Sequence, residues 1–472
     1  MSTQTYNEEL KEKLMYNKKN GWEEAGDSKK SEIYLFCDKY IEFLNLAKTE
    51  RESISYVEEK LKEKGFKNVN ECKNLKPGDK IYYINRDKSA YIAVIGKEEI
   101  AKGMNIVGAH IDVPRIDLKP NPIYEDNELA LLKTHYYGGI KKYQWTCIPL
   151  SIHGVIYKAN GEKVDINIGE KEDDPIFTIT DLLPHLAKKQ MEKKLGEGIE
   201  GEDLNVLIGG IPINGDKEAE KVKLHVLKIL NDKYGIVEED FISAELELVP
   251  AFKAQSLGFD KSMVAGYGQD DRSCSFTSLM AILEIENPLK TAVCMLVDKE
   301  EVGSMGNTGM ESHMFDWFIM KILDLKNENK AGAINEAYAN SKVLSADVDG
   351  AYDPTYASVV EKQNAAYLSY GLGLNKYTGA KGKSGSNDAN PEYIANLRNM
   401  FKENNIKYQI SELGKVDEGG GGTIAFILAN KGMEVVDAGA PVLSMHSPYE
   451  VSSKFDIHEC YLAYKTFYNC MK

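Results

Sequence analysis

A chain of 472 residues exceeds one ordinary domain and can bury a large core. With 43% hydrophobic and 28% charged residues it has the balance of a globular protein, and a net charge of −15 argues against nucleic acid as a partner, because phosphate binding wants a basic face. Seven widely spaced cysteines without a Cys-x-x-Cys pair speak against a disulfide framework; residues 1–10 are polar and no apolar run approaches the roughly 20 residues of a membrane span, so no membrane contact and a cytoplasmic, reducing location are expected.

Residues 6–63 read as helices, with Leu10, Leu14, Tyr34, Leu35, Ile41 and Leu44 at mixed spacings of three and four, and Ile54, Val57 and Leu61 continuing an amphipathic face toward Gly65. Residues 80–85 and 90–96 are β-rich and joined by Arg86-Asp87-Lys88, a hairpin signal. Residues 104–109 form a short buried strand that runs into His110 and Asp112. After Pro114 the texture changes. Pro120-Asn121-Pro122 is expected to break any regular element, and strands at 146–157, 164–168, 204–208 and 244–248 alternate with helices at 181–195 and 218–234. No metal-ligand residues cluster there, so 116–254 reads as a smaller α+β domain inserted into a catalytic domain made of 1–115 and 255–472. From residue 260 onward a helix at 274–284, a strand at 292–297, a helix at 314–325, a strand at 343–346, a helix at 390–404 and strand material at 434–443 follow in turn. The expected fold is α/β: a central sheet flanked by helices, with functional loops along one edge.

The chemistry centres on Val297-Asp298-Lys299-Glu300-Glu301-Val302-Gly303-Ser304, where an apolar run delivers two adjacent carboxylates into a turn. Neighbouring side chains leaving a strand diverge, so one glutamate can bind a metal while the other faces a water beside it. A Glu-Glu pair after a strand is by itself usually a solvated loop. Its company changes that reading: Gly108-Ala109-His110-Ile111-Asp112, Gln269-Asp270-Asp271-Arg272, Ser345-Ala346-Asp347 and Ser444-Met445-His446-Ser447 each put a nitrogen or oxygen ligand at the end of an apolar stretch. His110 can bind through one ring nitrogen while Asp112 orients it. Asp270 and Asp271 would suit an ordinary helix N-terminus, yet the same geometry lets Asp270 bridge two cations about 3.5 to 4 Å apart. Asp347 could belong to an acid-rich turn with Asp349 and Asp353, and His446 could be a loop histidine; five such coincidences at strand ends are improbable together. Oxygen and imidazole donors without thiolate suit zinc, with manganese or cobalt as substitutes, and such a pair hydrolyses amides.

The order His-x-Asp, Asp-Asp, Asp-x-Glu-Glu-x-Gly-Ser, Ser-x-Asp, Met-His-Ser, spanning His110 to His446, resembles the aspartyl aminopeptidase family of di-zinc metallopeptidases. That resemblance implies one zinc held by His110, Asp270 and Asp347, a second held by Asp270, Glu301 and His446, Glu300 as general base and Asp112 as the catalytic partner of His110. It further implies peptide substrates, an inserted domain that dimerises, and dimers assembled into a dodecamer enclosing the active sites. Ile148-Pro149-Leu150-Ser151-Ile152-His153 is similar to the segment whose histidine reaches a neighbouring subunit's site, and Gly420-Gly421-Gly422-Thr423-Ile424 to a small-residue turn where the amides of Gly421 and Gly422 approach substrate. The chain departs from the family after Asp347, having Gly350 and Asp353 where histidines are common. Acidic N-terminal residues are therefore not expected to be strongly favoured, although Lys376, Lys381 and Lys383 could supply positive charge. Two rival readings are a di-zinc carboxypeptidase or deacylase, in which Arg272 or Lys376 would recognise a free carboxylate, and a catalytically silent shell-forming homologue. The complete set of ligands and base favours the aminopeptidase.

Overall fold

Four apolar segments, Thr291–Val297, Met104–His110, Lys342–Ser345 and Glu434–Gly439, lie side by side and parallel at the centre of a nine-stranded sheet. The first two are buried along their whole length, as parallel strands covered on both faces must be. The structure, a computed structural model, describes residues 3–16, 18–215 and 219–471. On one side the sheet continues through Ser89–Val94, Lys80–Asn85 and Lys67–Asn68; on the other it continues through Leu372–Asn375 and Tyr408–Ile410. The expected hairpin is present, and Arg86 and Asp87, with φ of 54° and 56°, give it the turn handedness that matches strand twist.

Helices cover both faces. Asp27–Leu46, Gln269–Ile282 and Lys454–Cys470 bury Phe43, Phe276 and Tyr464 against one face, and Met314–Lys326 with Ala333–Asn340 buries Phe315, Phe318 and Tyr338 against the other. Glu50–Glu63 starts at a capping box in which Thr49 and Glu52 satisfy each other's backbone N–H groups. A five-stranded sheet, Gln255–Leu257, Met263–Gly266, Glu450–Ser453, Pro441–Leu443 and Asp349–Gly350, sits beside the carboxyl ends of the central strands and includes the hairpin whose loop carries His446.

A seven-stranded sheet runs in the order Lys163–Ile168, Leu150–Tyr157, Ala244–Pro250, Arg115–Asp126, Leu129–Tyr137, Val206–Gly209, Thr178–Ile179, and encloses a separate core around Ile116, Leu150, Ile156 and Leu248. Two expectations fail in this stretch. Pro120-Asn121-Pro122 does not end the strand Arg115–Asp126: the pairing shifts register between Leu118 and Ile123, and such an irregularity tolerates residues that cannot donate to the ladder. The helix expected at 181–195 is absent apart from the single turns Lys188–Met191 and Leu195–Gly198. Pro184 lacks the N–H a helix interior needs, and Leu182, Leu183, Leu186, Met191 and Leu195 are exposed, so no core holds their apolar spacing in a helix. The next helix is Lys221–Tyr234; its expected start at Glu218 lies outside the described residues.

Candidate active site

Strand ends deliver most of the cluster. His110 closes Met104–His110, Glu300 and Glu301 occupy the turn beyond Val297, and Asp347 lies just past Ser345. Asp270 enters from the first turn of Gln269–Ile282, and the Asp270–Asp271 peptide bond is cis. His110 Nε2 stands 3.2 Å from Asp270 Oδ1 and 3.7 Å from Asp347 Oδ1; His446 Nε2 stands 3.1 Å from Asp270 Oδ2 and 3.5 Å from Glu301 Oε2. The sets His110–Asp270–Asp347 and Asp270–Glu301–His446 each bring their donor atoms within 4.8 Å of one another.

The tautomers reveal what these donors lack. His110 Nδ1 lies 3.0 Å from the Asp112 carbonyl oxygen and His446 Nδ1 lies 3.0 Å from that of Gly139. A carbonyl only accepts, so each ring donates from Nδ1, and in the neutral imidazole Nε2 then carries a lone pair. Facing carboxylates, such an Nε2 needs either a cation or a second proton: against burial, the surrounding carboxylates raise His446 to about 10 and His110 well above its ordinary value. Glu301 Oε1 is also buried without a hydrogen-bond partner. Imidazole nitrogens and carboxylate oxygens with their remote atoms tied down are the donor set that suits zinc.

Electrostatics agree. Burial pushes Glu300 up to about 8, helped by the Asp347, Asp112 and Asp270 carboxylates against the pull of His110. Burial and Asp270 likewise push Glu301 well above its ordinary value. Against burial, the hydrogen bonds from His110 and His446 hold Asp270 below the usual carboxylate range. So many acids in a dry place are costly, and divalent cations remove that cost.

Asp112 supports the cluster from behind. Its oxygens accept the N–H groups of Glu300 and Glu301, both at 3.1 Å, and the Tyr137 hydroxyl at 2.8 Å. Sequence reasoning missed Glu450, Tyr137 and Gly139. Glu450 Oε2 accepts the N–H of Gln269 at 2.6 Å and of Asp270 at 3.1 Å, while Oε1 accepts that of His446 at 2.8 Å, so one buried carboxylate sets the backbone of two cluster residues. The signal in the sequence was slight: an acid four residues after His446.

A cleft of about 840 Å³ opens over the cluster, lined by Asp270, Glu300, Glu301, Asp347 and His446 on one wall and by Gly421, Gly422, Leu413 and Phe426 on others. Nothing would meet a side chain at Gly422, which leaves room for a substrate backbone. A Cβ at Gly350 would stand 2.4 Å from Leu413 Cδ1, so a histidine cannot sit there with Leu413 in place. Asp353 is a correction: its carboxylate caps the helix Pro354–Val359 by accepting the Thr355 N–H at 2.8 Å and does not line the cleft, so it repels no substrate there. Lys381 and Lys383 do line it, but Lys383 is held by Asp388 at 2.9 Å, and Lys376, also paired with Asp388, lies outside the lining. Arg272 is fully buried and donates to the Lys48 carbonyl at 2.7 Å, which removes it as a receptor for a substrate carboxylate. Within this subunit the His153 ring is buried, with Nδ1 2.8 Å from Glu52 Oε1 and Nε2 3.1 Å from Glu170 Oε1.

A sheet with a parallel centre whose strand ends gather zinc-type donors beneath a substrate-sized cleft defines a metal-dependent hydrolase. The chain belongs to the M18 peptidases, since the family described as "Aminopeptidase I zinc metalloprotease (M18)" matches residues 43–468. It is 51% identical over 460 residues to the probable M18 family aminopeptidase 1 of Clostridium acetobutylicum, covering 97% of this chain and 99% of that one. The crystal structure of the M18 aminopeptidase from Thermotoga maritima, 44% identical and covering 96% and 99% of the two chains, superposes with a TM-score of 0.93. The more distant S. cerevisiae mApe1 dodecamer, 20% identical over 91% of this chain and 95% of that one, shares the fold with a TM-score of 0.73. The protein is a zinc metalloaminopeptidase, as the motif order implied.

Proposed function

We propose that the enzyme removes N-terminal residues from peptides using two metal ions, one held by His110, Asp270 and Asp347 and the other by Asp270, Glu301 and His446, with Asp270 bridging. The observation that carries this is Asp270 itself, whose two oxygens face two histidine Nε2 atoms whose Nδ1–H groups are already committed to carbonyls. Zinc, when bound, polarises the scissile carbonyl and acidifies water; cobalt or manganese would substitute on the same donors.

The chain's own residues supply the rest. The Glu300 side chain is 16% exposed where that of Glu301 is 4%, so Glu301 points inward as a ligand and Glu300 faces the cleft. Glu300 takes a proton from the attacking water as its oxygen bonds to the carbonyl carbon, then gives it to the leaving amine as the C–N bond breaks. Asp112 holds the turn that carries Glu300 and steadies His110. Gly421 and Gly422 leave room for the peptide backbone. A carboxylate-rich wall suits a substrate that presents a free α-ammonium rather than a free carboxylate.

The second sheet with its separate core supports a division into a catalytic part, 1–115 and 255–472, and an inserted part, 116–254, through which subunits dimerise, with dimers assembling into a dodecamer. Cysteines that stand as free thiols support a cytoplasmic location. Metal analysis of active protein, with hydrolysis of a panel of aminoacyl fluorogenic amides, tests the central reading. Two ions per chain are expected, with activity lost on chelation and restored by zinc; full activity with one ion per chain overturns it.

A further inference from the structure

The stretch Tyr137-Gly138-Gly139, at the end of the strand Leu129–Tyr137, is a place where the seven-stranded sheet comes up against the donor cluster. These three consecutive residues touch both halves of the donor cluster. The Tyr137 hydroxyl donates to Asp112 Oδ2 at 2.8 Å, the oxygen that also accepts the Glu301 N–H. The Gly139 carbonyl accepts His446 Nδ1–H at 3.0 Å. Between them Gly138 has φ of +73°, and a Cβ there would stand 3.3 Å from Glu301 Cβ and 3.4 Å from Pro114 Cα. The stretch is braced in turn. The Tyr137 ring lies 3.9 Å from the Arg115 guanidinium, which is buried and held by Asp117 at 2.8 Å and Glu247 at 3.2 Å, all three on strands of the same sheet.

We propose that Tyr137, Gly138 and Gly139 form a positioning element through which the inserted sheet sets the geometry of the metal centre. The Tyr137 hydroxyl fixes Asp112 and with it the Glu300–Glu301 turn; the Gly139 carbonyl fixes the tautomer and ring direction of His446; Gly138 lets the backbone pass close to Glu301. The hydroxyl acts as a donor throughout, because burial and the Asp112 carboxylate keep Tyr137 protonated. Remote atoms of metal-binding imidazoles are tied down in this way when a site must present Nε2 in one direction, and loss of such a partner costs about 10- to 100-fold in metal affinity or activity. The inference rests on the two-metal reading above and adds that part of the geometry comes from the inserted sheet.

Tyr137→Phe keeps the ring and its packing on Arg115 while removing the one donor; Gly138→Ala puts a methyl group beside Glu301. Each variant is stripped of metal, titrated with zinc against a competing chelator, and assayed for kcat and KM, with Tm of the metal-free chain as the folding control. Tyr137→Phe is expected to lower kcat by about tenfold or more with KM within about twofold, and Gly138→Ala to weaken one of the two zinc sites by a similar factor. Tm of metal-free Tyr137→Phe should stay at the wild-type value. A merely structural role would instead lower Tm and leave kcat per folded chain and zinc affinity unchanged, which overturns the proposal, as does Tyr137→Phe with wild-type kcat and zinc affinity. Wild-type protein that takes up only one zinc overturns the two-metal reading instead, a result visible before any variant is compared.

Discussion

Glu300 and Glu301 are neighbours with opposite fates, and the difference is a matter of direction. Asp112 accepts both of their N–H groups, which fixes a turn that sends one carboxylate toward His446 and the other into the cleft. Glu300→Gln should therefore keep fold and both metals yet lower kcat by at least about a hundredfold, the usual scale for loss of a general base; near wild-type turnover in a metal-replete variant would place the base elsewhere. Substrate preference is set at the same scale. Leu413 occupies the space a histidine would need at Gly350, Lys383 is engaged by Asp388, and Asp349, Glu412 and Asp437 line the cleft with Val348, Leu413 and Phe426. Amides of neutral or basic N-terminal residues should be cleaved at least as well as those of Asp or Glu, measured as kcat/KM over a panel. A wide margin in favour of acidic residues would show that Lys381 and Lys383 dominate the cleft. The proposed donor residues, which the fold brings together, could be read from the chain because each follows an apolar run. The side chains that orient them could not: Tyr137, Gly139 and Glu450 act through contacts that only the fold brings together, with no motif of their own.

At the scale of elements, long buried strands were the most legible, since parallel strands covered on both faces must be apolar throughout. The expected strands at 292–297 and 343–346 correspond to Thr291–Val297 and Lys342–Ser345. Short edge strands such as Tyr408–Ile410 left no such trace, and an apolar periodicity without a core beneath it misled the reading of 181–195. The strand ends also meet more closely than a sequence can reveal. Gly439 ends Glu434–Gly439, and a Cβ there would lie 1.8 Å from the Asp347 carbonyl oxygen and 2.5 Å from its carbon. Gly439→Ala must therefore move the backbone of Asp347. The expected outcome is weakened zinc binding at the His110–Asp270–Asp347 set and at least about tenfold lower activity, with the other set retained, as read by zinc titration. Two intact sites in this variant would show that Asp347 can shift without leaving its place.

At the scale of the molecule, the segment that defeated the helix expectation bears on assembly. Leu182, Leu183, Leu186, Met191 and Leu195 are 52%, 51%, 69%, 75% and 69% exposed, all within fourteen residues of the region that carries the seven-stranded sheet. Scattered exposed leucines need no explanation, but this many on one short segment, with Ile176 and Ile211 also open, point to a surface covered in the native state. A second copy of the chain is the occupant that the proposed homo-oligomer supplies, and in a two-fold contact every buried residue counts twice. Burying a leucine or methionine side chain contributes about 1.5 to 3 kcal/mol, so charging two positions removes several kcal/mol from a symmetric interface and adds the cost of desolvating four carboxylates. The double variant Leu186→Glu, Met191→Glu should shift the particle mass in light scattering toward the monomer. The subunit's own core is untouched, because neither side chain belongs to it, so circular dichroism and the zinc content should remain those of the wild type. A wild-type particle mass for the double variant would mean that the subunits meet through another face.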